Sequence, residues 1–351
     1  MSAALRATLR ESRAIWMLIL VSIIIAVQTG TFLTTSNLMD VLLEASVTAL
    51  LGAGQTFVII LAEIDLSDGA ILGLSAGITA MAMAHHQNVV LALVIGIAVG
   101  AACGLVNGLL VTVAKMPSFI ATLGTMSVFA SMALEFMQGN PVSVLTNSFD
   151  DIGQARPGGV PLPVYLTIAI FIVFGVLLAR TRYGRFVYAV GDNPQAARLS
   201  GVPVARVKIW AFVISGVLSA VAGFILTARL SDAEPTAGSG LELEAIAAVI
   251  IGGTSLLGGR GNLIGTFIGA LILGVIDNGM NLLNVSPFLE GIVEGAVILF
   301  AVFLDRNVTS LTVLTDSLLG RRNTGPSSGI AATDDHHDQP LNVEQTPRSG
   351  S

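Results

Sequence analysis

Ten apolar runs succeed one another along this chain, and no other feature restricts its fold as much. They are Ile15–Leu33, Val41–Ala62, Gly69–Ala84, Val89–Ala114, Ser118–Gln138, Leu162–Ala179, Ile209–Thr227, Ala245–Leu257, Leu263–Leu283 and Leu289–Leu304. A straight helical crossing of a bilayer takes roughly 20 apolar residues. Several runs are shorter, so tilted, broken or partly buried helices are expected. Composition agrees: the chain is 53% hydrophobic with 38 glycines and a mean hydropathy of +0.82. That is too apolar for a soluble domain of 351 residues. The expected fold is an all-α polytopic membrane protein with about ten transmembrane helices.

Charge placement orients these helices. Arg6, Arg10 and Arg13 precede the first run, which is longer than a signal-peptide core and lacks a cleavage site, so it reads as an uncleaved span. With the N-terminus inside, Lys115, Arg260 and the C-terminal Arg306, Arg321, Arg322 and Arg348 all fall on the cytoplasmic side. So do the six basic residues of the stretch 180–208, leaving only Arg156 and Arg229 outside. Acidic residues lean the other way, with Asp40, Asp150, Asp151, Asp232, Glu234, Glu242 and Glu244 near the outer face. Both termini are therefore expected in the cytoplasm of a prokaryotic cell, the chain lying in its plasma (inner) membrane. Residues 1–14 form a cytoplasmic tail, 15–305 the transmembrane domain and 306–351 a second tail. From about Asn323 onward that tail is polar and without periodicity, so disorder is expected. Ten helices divide as five plus five, and an odd number per repeat would invert the second half. No echo between the halves is visible in the sequence.

The basic stretch itself carries a local signal. It holds Arg180, Arg182, Arg185, Arg198, Arg206 and Lys208 in a chain only 11% charged. Within it Gly191-Asp192-Asn193-Pro194 leads into Gln195-Ala196-Ala197-Arg198-Leu199, and Gly201 and Pro203 follow. Asp or Asn as N-cap, Pro in the first turn and Gly at the end predict one short helix. On charge alone the stretch would be only a connector. The string from Tyr188 to Gly201, however, resembles the E-A-A-x-x-x-G coupling loop of ABC import permeases, with Gln195 in place of Glu. It is similar to the ribose-type monosaccharide permeases in particular. In that family the loop docks on a separate ATPase, so the resemblance gives Gly191, Asp192, Asn193, Pro194, Gln195, Ala196, Ala197 and Gly201 an ATPase-coupling role.

Two further stretches place polar groups among apolar runs. In Glu63-Ile64-Asp65-Leu66-Ser67-Asp68-Gly69, three carboxylates and a hydroxyl lie between the second and third runs. An ionised carboxylate at the bilayer centre costs roughly 2.5–3.5 kcal/mol on insertion scales. The stretch is therefore interfacial or buried in protein. Asp65 or Ser67 would cap the next helix, or Glu63, Asp65 and Ser67 would sit at a broken helix beside a translocation pathway. The second stretch, Gly238–Asn281, holds a glycine cluster at 252–261 and the polar group Asp277, Asn278 and Asn281, also assigned to the pathway. The glycines lack the G-K-[ST] of a phosphate loop, so they are read as packing or turn residues. Both stretches resemble the same family. Ile64, Asp65, Leu66, Ser67 and Gly69 match its G-G-I-D-L-S-x-G signature, and its glycine-rich block is matched from Pro235 onward. The resemblance covers about residues 38–305. Glu63, where Gly is usual except in xylose-type members, Asp68, where an apolar residue is usual, and Glu294, often Lys, depart from it.

The resemblance implies the non-catalytic permease of an ATP-driven monosaccharide importer, for a pentose or hexose. Its partners would be an ABC ATPase, an extracytoplasmic sugar-binding protein, a second permease copy in a homodimer, and the bilayer. The competing reading is a proton-coupled secondary transporter using the carboxylates, which would have no need of a docking helix. An intramembrane enzyme would require a nucleophile–base pair or metal cluster, and neither is visible. No cofactor is expected in this chain. A net charge of −6 gives no case for nucleic acid, and the single Cys103 excludes a disulfide framework. His85-His86 and the tail motif Asp334–Asp338 lack the supporting shell of a metal site. The topology is directly testable. With Cys103 replaced by Ala, a cysteine at Ala155 should react with an impermeant thiol reagent in intact cells. One at Gly350 should react only after permeabilisation, and the opposite pattern would reverse the orientation.

Overall fold

The computed structural model describes residues 3–86, 88–144 and 147–286, together with 289, 291–293, 295–297, 299 and 303. Nine of the apolar runs form helices: α1 (Ala3–Gln28), α2 (Thr35–Ile60), α3 (Asp68–His86), α4 (Val89–Thr112) and α5 (Ser118–Phe136), then α7 (Leu162–Arg180), α10 (Val204–Leu230), α11 (Leu241–Ile251) and α12 (Leu263–Leu282). The tenth run, Glu294 and the tail with its arginines and histidines lie largely or wholly outside the described residues. Among the described residues six helices, α2, α4, α5, α7, α10 and α12, are long and apolar enough to cross a membrane. The chain is thus a multi-pass helical membrane protein. The short runs correspond to short helices: α11 has 11 residues, and α3 is preceded by an extended segment rather than continuing α2.

Helix α2 is the axis of the bundle. Every residue from Ala45 to Ile60 is buried, enclosed by α10, α12, α11 and α7. An apolar helix this enclosed can carry polar side chains only if they find partners. Thr56 and Thr266 of α12 share a hydrogen bond of 2.7 Å, and Thr48 donates to Glu244 of α11 at 3.1 Å. At the start of α2, Asn37 and Asn278 of α12 exchange amide hydrogen bonds of 2.9 and 3.0 Å.

Close backbone approach fixes the largest helix pair. Gly96, Gly100, Gly104 and Gly108 recur every four residues and so form one stripe on α4. A Cβ on Gly100 would come within 2.2 Å of the Gly216 carbonyl oxygen of α10, and one on Gly104 within 2.2 Å of that of Phe212. Lipid offers no hydrophobic force between apolar helices, so van der Waals contact at such stripes holds them together.

The structure also contains elements that the apolar runs did not reveal. Between α5 and α7 lie β1 (Val142–Ser143), α6 (Asn147–Gln154) and a 3-10 turn at Pro157–Gly159. Strand β1 pairs antiparallel with β2 (Asp232–Ala233), which follows α10. Nearby, Arg156 and Asp40 form an ion pair of 3.2 Å that is about half exposed, worth at most about 1 kcal/mol. The stretch 180–208 corrects the expectation of a single short helix. It forms α8 (Arg182–Asp192) as well as α9 (Pro194–Leu199), because Gly184, Val187, Val190 and Gly191 place one buried face on 182–192. Replacement of Gly104 by Val should separate α4 from α10 and sharply lower the abundance and detergent melting temperature of the protein. Gly124→Ala, with nothing within 4 Å of its added carbon, should leave both unchanged or slightly raised.

Candidate functional site

Two features meet at one end of α2: a break in the helix path and the α8–α9 unit. Helix α2 ends in a Schellman turn, with Glu63 N–H donating to Val58 O (3.2 Å) and Ala62 N–H to Ile59 O (2.9 Å). Ala62 takes the left-handed conformation at φ 58°. The chain then turns back as an extended segment to Ser67, and α3 begins at Asp68. Peptide groups in that segment have no helical partner, and side chains supply the bonds instead. Ser118 Oγ of α5 accepts from Ile64 N–H at 3.1 Å, and Thr122 Oγ1 donates to Ile64 O at 3.3 Å. Gln55 Nε2 of α2 donates to Asp65 O.

The side chains of the break are fully enclosed. Asp65, Ser67 and Asp68 are each 0% exposed. Asp65 Oδ1 accepts from both Ser67 N–H (2.9 Å) and Ser67 Oγ (2.7 Å). Ser67 Oγ accepts from Asn107 Nδ2 of α4 at 2.7 Å, and Asn107 Oδ1 accepts from Thr125 of α5 at 2.7 Å. Asp68 Oδ1 accepts from Ser215 Oγ of α10 at 2.8 Å. The expectation that Asp65 or Ser67 caps α3 through its side chain is thereby corrected. Asp65 is committed to Ser67, through its N–H and its hydroxyl, and Ser67 to Asn107 of α4, rather than either to an amide of the first turn. Glu63 pairs with Lys208 of α10, at 13% and 20% side-chain exposure.

The α8–α9 unit is braced against the same end of α2. Asn193 Oδ1 accepts from Gln195 N–H and Ala196 N–H, each at 3.0 Å, and Pro194 occupies the first turn of α9. Such a cap stabilises a helix start by about 1 kcal/mol. At the other end Val202 N–H donates to Ala197 O and Gly201 N–H to Arg198 O, both at 3.0 Å, with Gly201 at φ 82°. Gly191 touches the foot of α2 so closely that a Cβ there would lie 1.8 Å from Ile60 O. The same carbonyl accepts from Gly259 N–H at 2.8 Å, and Tyr188 OH donates to Gly261 O at 2.8 Å. Burial pushes the Tyr188 phenol above its usual pKa. The glycine turn 252–261 is thus a packing element, as expected. Asp192, Asn193, Gln195 and Ala196 are exposed, Ala197 is buried, and the apolar Leu199 is 90% exposed.

Residues 37–302 match the family described as the branched-chain amino acid transport system permease component. The chain belongs to this family. It is 48% identical over 291 residues to the ribose import permease protein RbsC of Bacillus subtilis, covering 82% of this chain and 90% of that one. The ribose import permease protein of Escherichia coli K12 is 41% identical over 304 residues, covering 86% and 95%. The L-arabinose transport system permease protein AraH of the same organism is 40% identical over 275 residues, covering 78% and 84%.

As a family member, this chain shows where its sequence departures go. Glu63 is balanced by Lys208, and Asp68 is held by Ser215. The polar residues assigned to a pathway do not form one cluster. Glu63, Asp65 and Ser67 lie near the end of α2, level with Gln55, whereas buried Asn278 is bonded to Asn37 at its start. At 1.5 Å per residue those levels are about 27 Å apart. Asp277 and Asn281 flank Asn278 on α12, half-buried and exposed respectively. Gln55, Asn107, Ser118, Thr122, Thr125 and Ser215 were not singled out from the sequence. Gln55 and Asn107, amides in the middle of apolar runs, were the available signal. No group of three or more metal-ligating side chains occurs among the described residues. Removing one member of a buried ion pair strands the other, at a cost on the order of 3 kcal/mol. Lys208→Met should therefore reduce abundance and melting temperature more than the double variant Glu63→Gln/Lys208→Met does, read as a non-additive cycle in detergent melting curves.

Proposed function

We propose that this chain is the non-catalytic permease of an ATP-driven importer for a pentose or hexose, served by a separate ABC ATPase and an extracytoplasmic sugar-binding protein. The observation that carries this reading is the α8–α9 unit: a helix of six residues capped at both ends, exposed along its outer side and braced through Gly191 on α2. A stiff element passes a push, whereas a flexible tether absorbs it. In this reading Gly191, Asp192, Asn193, Pro194, Gln195, Ala196, Ala197 and Gly201 form the coupling element. Closure of the ATPase moves α9, and the motion reaches the break directly through Gly191 and Ile60 and by way of α10 through Lys208 and Ser215. The names of the relatives, two ribose permeases and one arabinose permease, support a monosaccharide.

The remaining assignments follow as parts of the same proposal. Ten spans with both termini cytoplasmic agree with the distribution of Arg and Lys. Residues 1–14 and 306–351 are the cytoplasmic tails of a transmembrane domain at 15–305, which lies in a prokaryotic plasma membrane. Two copies pair as a homodimer, and the two five-helix halves form inverted repeats. Glu63, Asp65 and Ser67 border the inner part of the pathway, and Asp277, Asn278 and Asn281 the outer part. No cofactor is required of this chain, because ATP is hydrolysed elsewhere.

Gly201 provides the test. Its surroundings are open, with nothing within 4 Å of an added Cβ, so Gly201→Val acts only through the strain of a β-branched residue at positive φ. Normal membrane insertion and abundance are expected, with ATPase co-purification and sugar uptake both strongly reduced. Uptake that persists after the ATPase is deleted would overturn the reading in favour of a secondary transporter.

A further inference from the structure

The break in the α2–α3 path buries two carboxyl groups that the coupling scheme does not use chemically. Asp65 and Asp68 are both wholly enclosed, and each spends Oδ1 on serine donors. Their two Oδ2 atoms are buried with no other hydrogen-bond partner, yet the carboxyl groups lie within hydrogen-bonding reach of each other. Ionised carboxylates are acceptors only. Two facing acceptors repel, and each would stay desolvated without a donor. One proton turns the same contact into an O–H···O⁻ bond, the strong charge-assisted kind, and removes one of the two buried charges.

The surroundings offer hydroxyl and amide donors but no cation to balance two charges. Among the described residues neither aspartate has an ion-pair partner. Helix α2 presents Gln55, whose amide donates to Asp65 O. Helix α4 presents Asn107 and the thiol of Cys103, and α5 presents Thr122 and Thr125. Helix α10 presents Ser215 and Ser219, its Lys208 being held by Glu63. Glu242, at the start of α11, comes close to Gly69, but its Oε2 accepts from Gly240 N–H at 3.1 Å. Asp232 and Glu234 lie on the chain that reaches α3 beyond the Pro235–Gly73 contact, away from the break.

We infer that Asp65 and Asp68 form a one-proton site, an acid–carboxylate pair that joins the extended segment to α3 and, through Ser215, to α10. The proton comes from water and is held between the two Oδ2 atoms; no covalent bond changes. Such a site differs from a proton path, since one pair offers no neighbouring group to hand the proton on.

Infrared spectroscopy of the full-length chain purified in detergent tests this, because protonated carboxyls have a distinct C=O band that shifts on deuterium exchange. At neutral pH the wild type should show such a band, moved by aspartate-selective isotope labelling. It should be lost in both Asp65→Asn and Asp68→Asn, each of which leaves a single carboxylate bonded to an amide. Exchange of potassium for sodium should not alter it. Absence of an aspartic acid band in the wild type overturns the inference without any variant. So does a band retained in either variant, and so does one that sodium abolishes, which would mark a cation site instead.

Discussion

The backbone hydrogen bonds of the extended segment Ile64–Ser67, which no helix can supply, are the constraint on which the rest of this structure depends. Inside a membrane protein no water is at hand for a stretch of backbone that leaves a helix, and each unsatisfied peptide group there costs several kcal/mol. The chain meets the demand with Gln55, Ser118 and Thr122, drawn from the helix before the break and from one more than 50 residues later. This explains why α2, the most enclosed helix, tolerates a glutamine at 0% exposure. It also explains why α5 begins with a serine pointed inward.

Once the break is secured, its position makes it a meeting point of α2, α3, α8 and α10. Its near end, Ile60, is clasped by Gly191 of α8 and Gly259 of the glycine turn. Its far end, Asp68, is tied to Ser215 on α10, the next helix after the turn that ends α9. The α8–α9–α10 stretch therefore touches both ends of the same short segment. Glycines at these contacts let backbones touch, so the elements meet through main chain rather than through long, compliant side chains.

Charge is handled by the same economy of placement. Glu63 and Lys208 neutralise each other beside the break, and Asp65 and Asp68 lean on serines and an asparagine. Elsewhere the apolar faces of α4, α5 and α7 stay exposed, as at Val94, Ile120 and Ile172, which suits a lipid environment. Polar groups are collected inside, on α2 and its neighbours, and that inversion of a soluble protein's arrangement keeps the carboxylates away from hydrocarbon.

How much of this could be read from the chain depends on the distance over which each interaction acts. The helical runs were legible because they need only length and apolarity, and the ends of α9 because Asn193, Pro194 and Gly201 act within a few residues of themselves. Helix α8 went unread although its apolar face recurs at helical spacing, because its basic residues dominate its composition. The role of Glu63 was not legible, since its partner Lys208 lies 145 positions away. Nor was the separation of Asn278 from Asp65, which follows from Asn37 and Gln55 occupying opposite ends of one helix. The sequence by itself determined where the long apolar helices run, where the short exposed helix begins and stops, and that the polar stretch 63–69 would need help from an interface or from surrounding protein. Only the tertiary structure decided who gives that help and which carboxylates meet. Helix propensity and capping are local, whereas the satisfaction of a buried polar group depends on whichever helix packing brings within 3 Å of it.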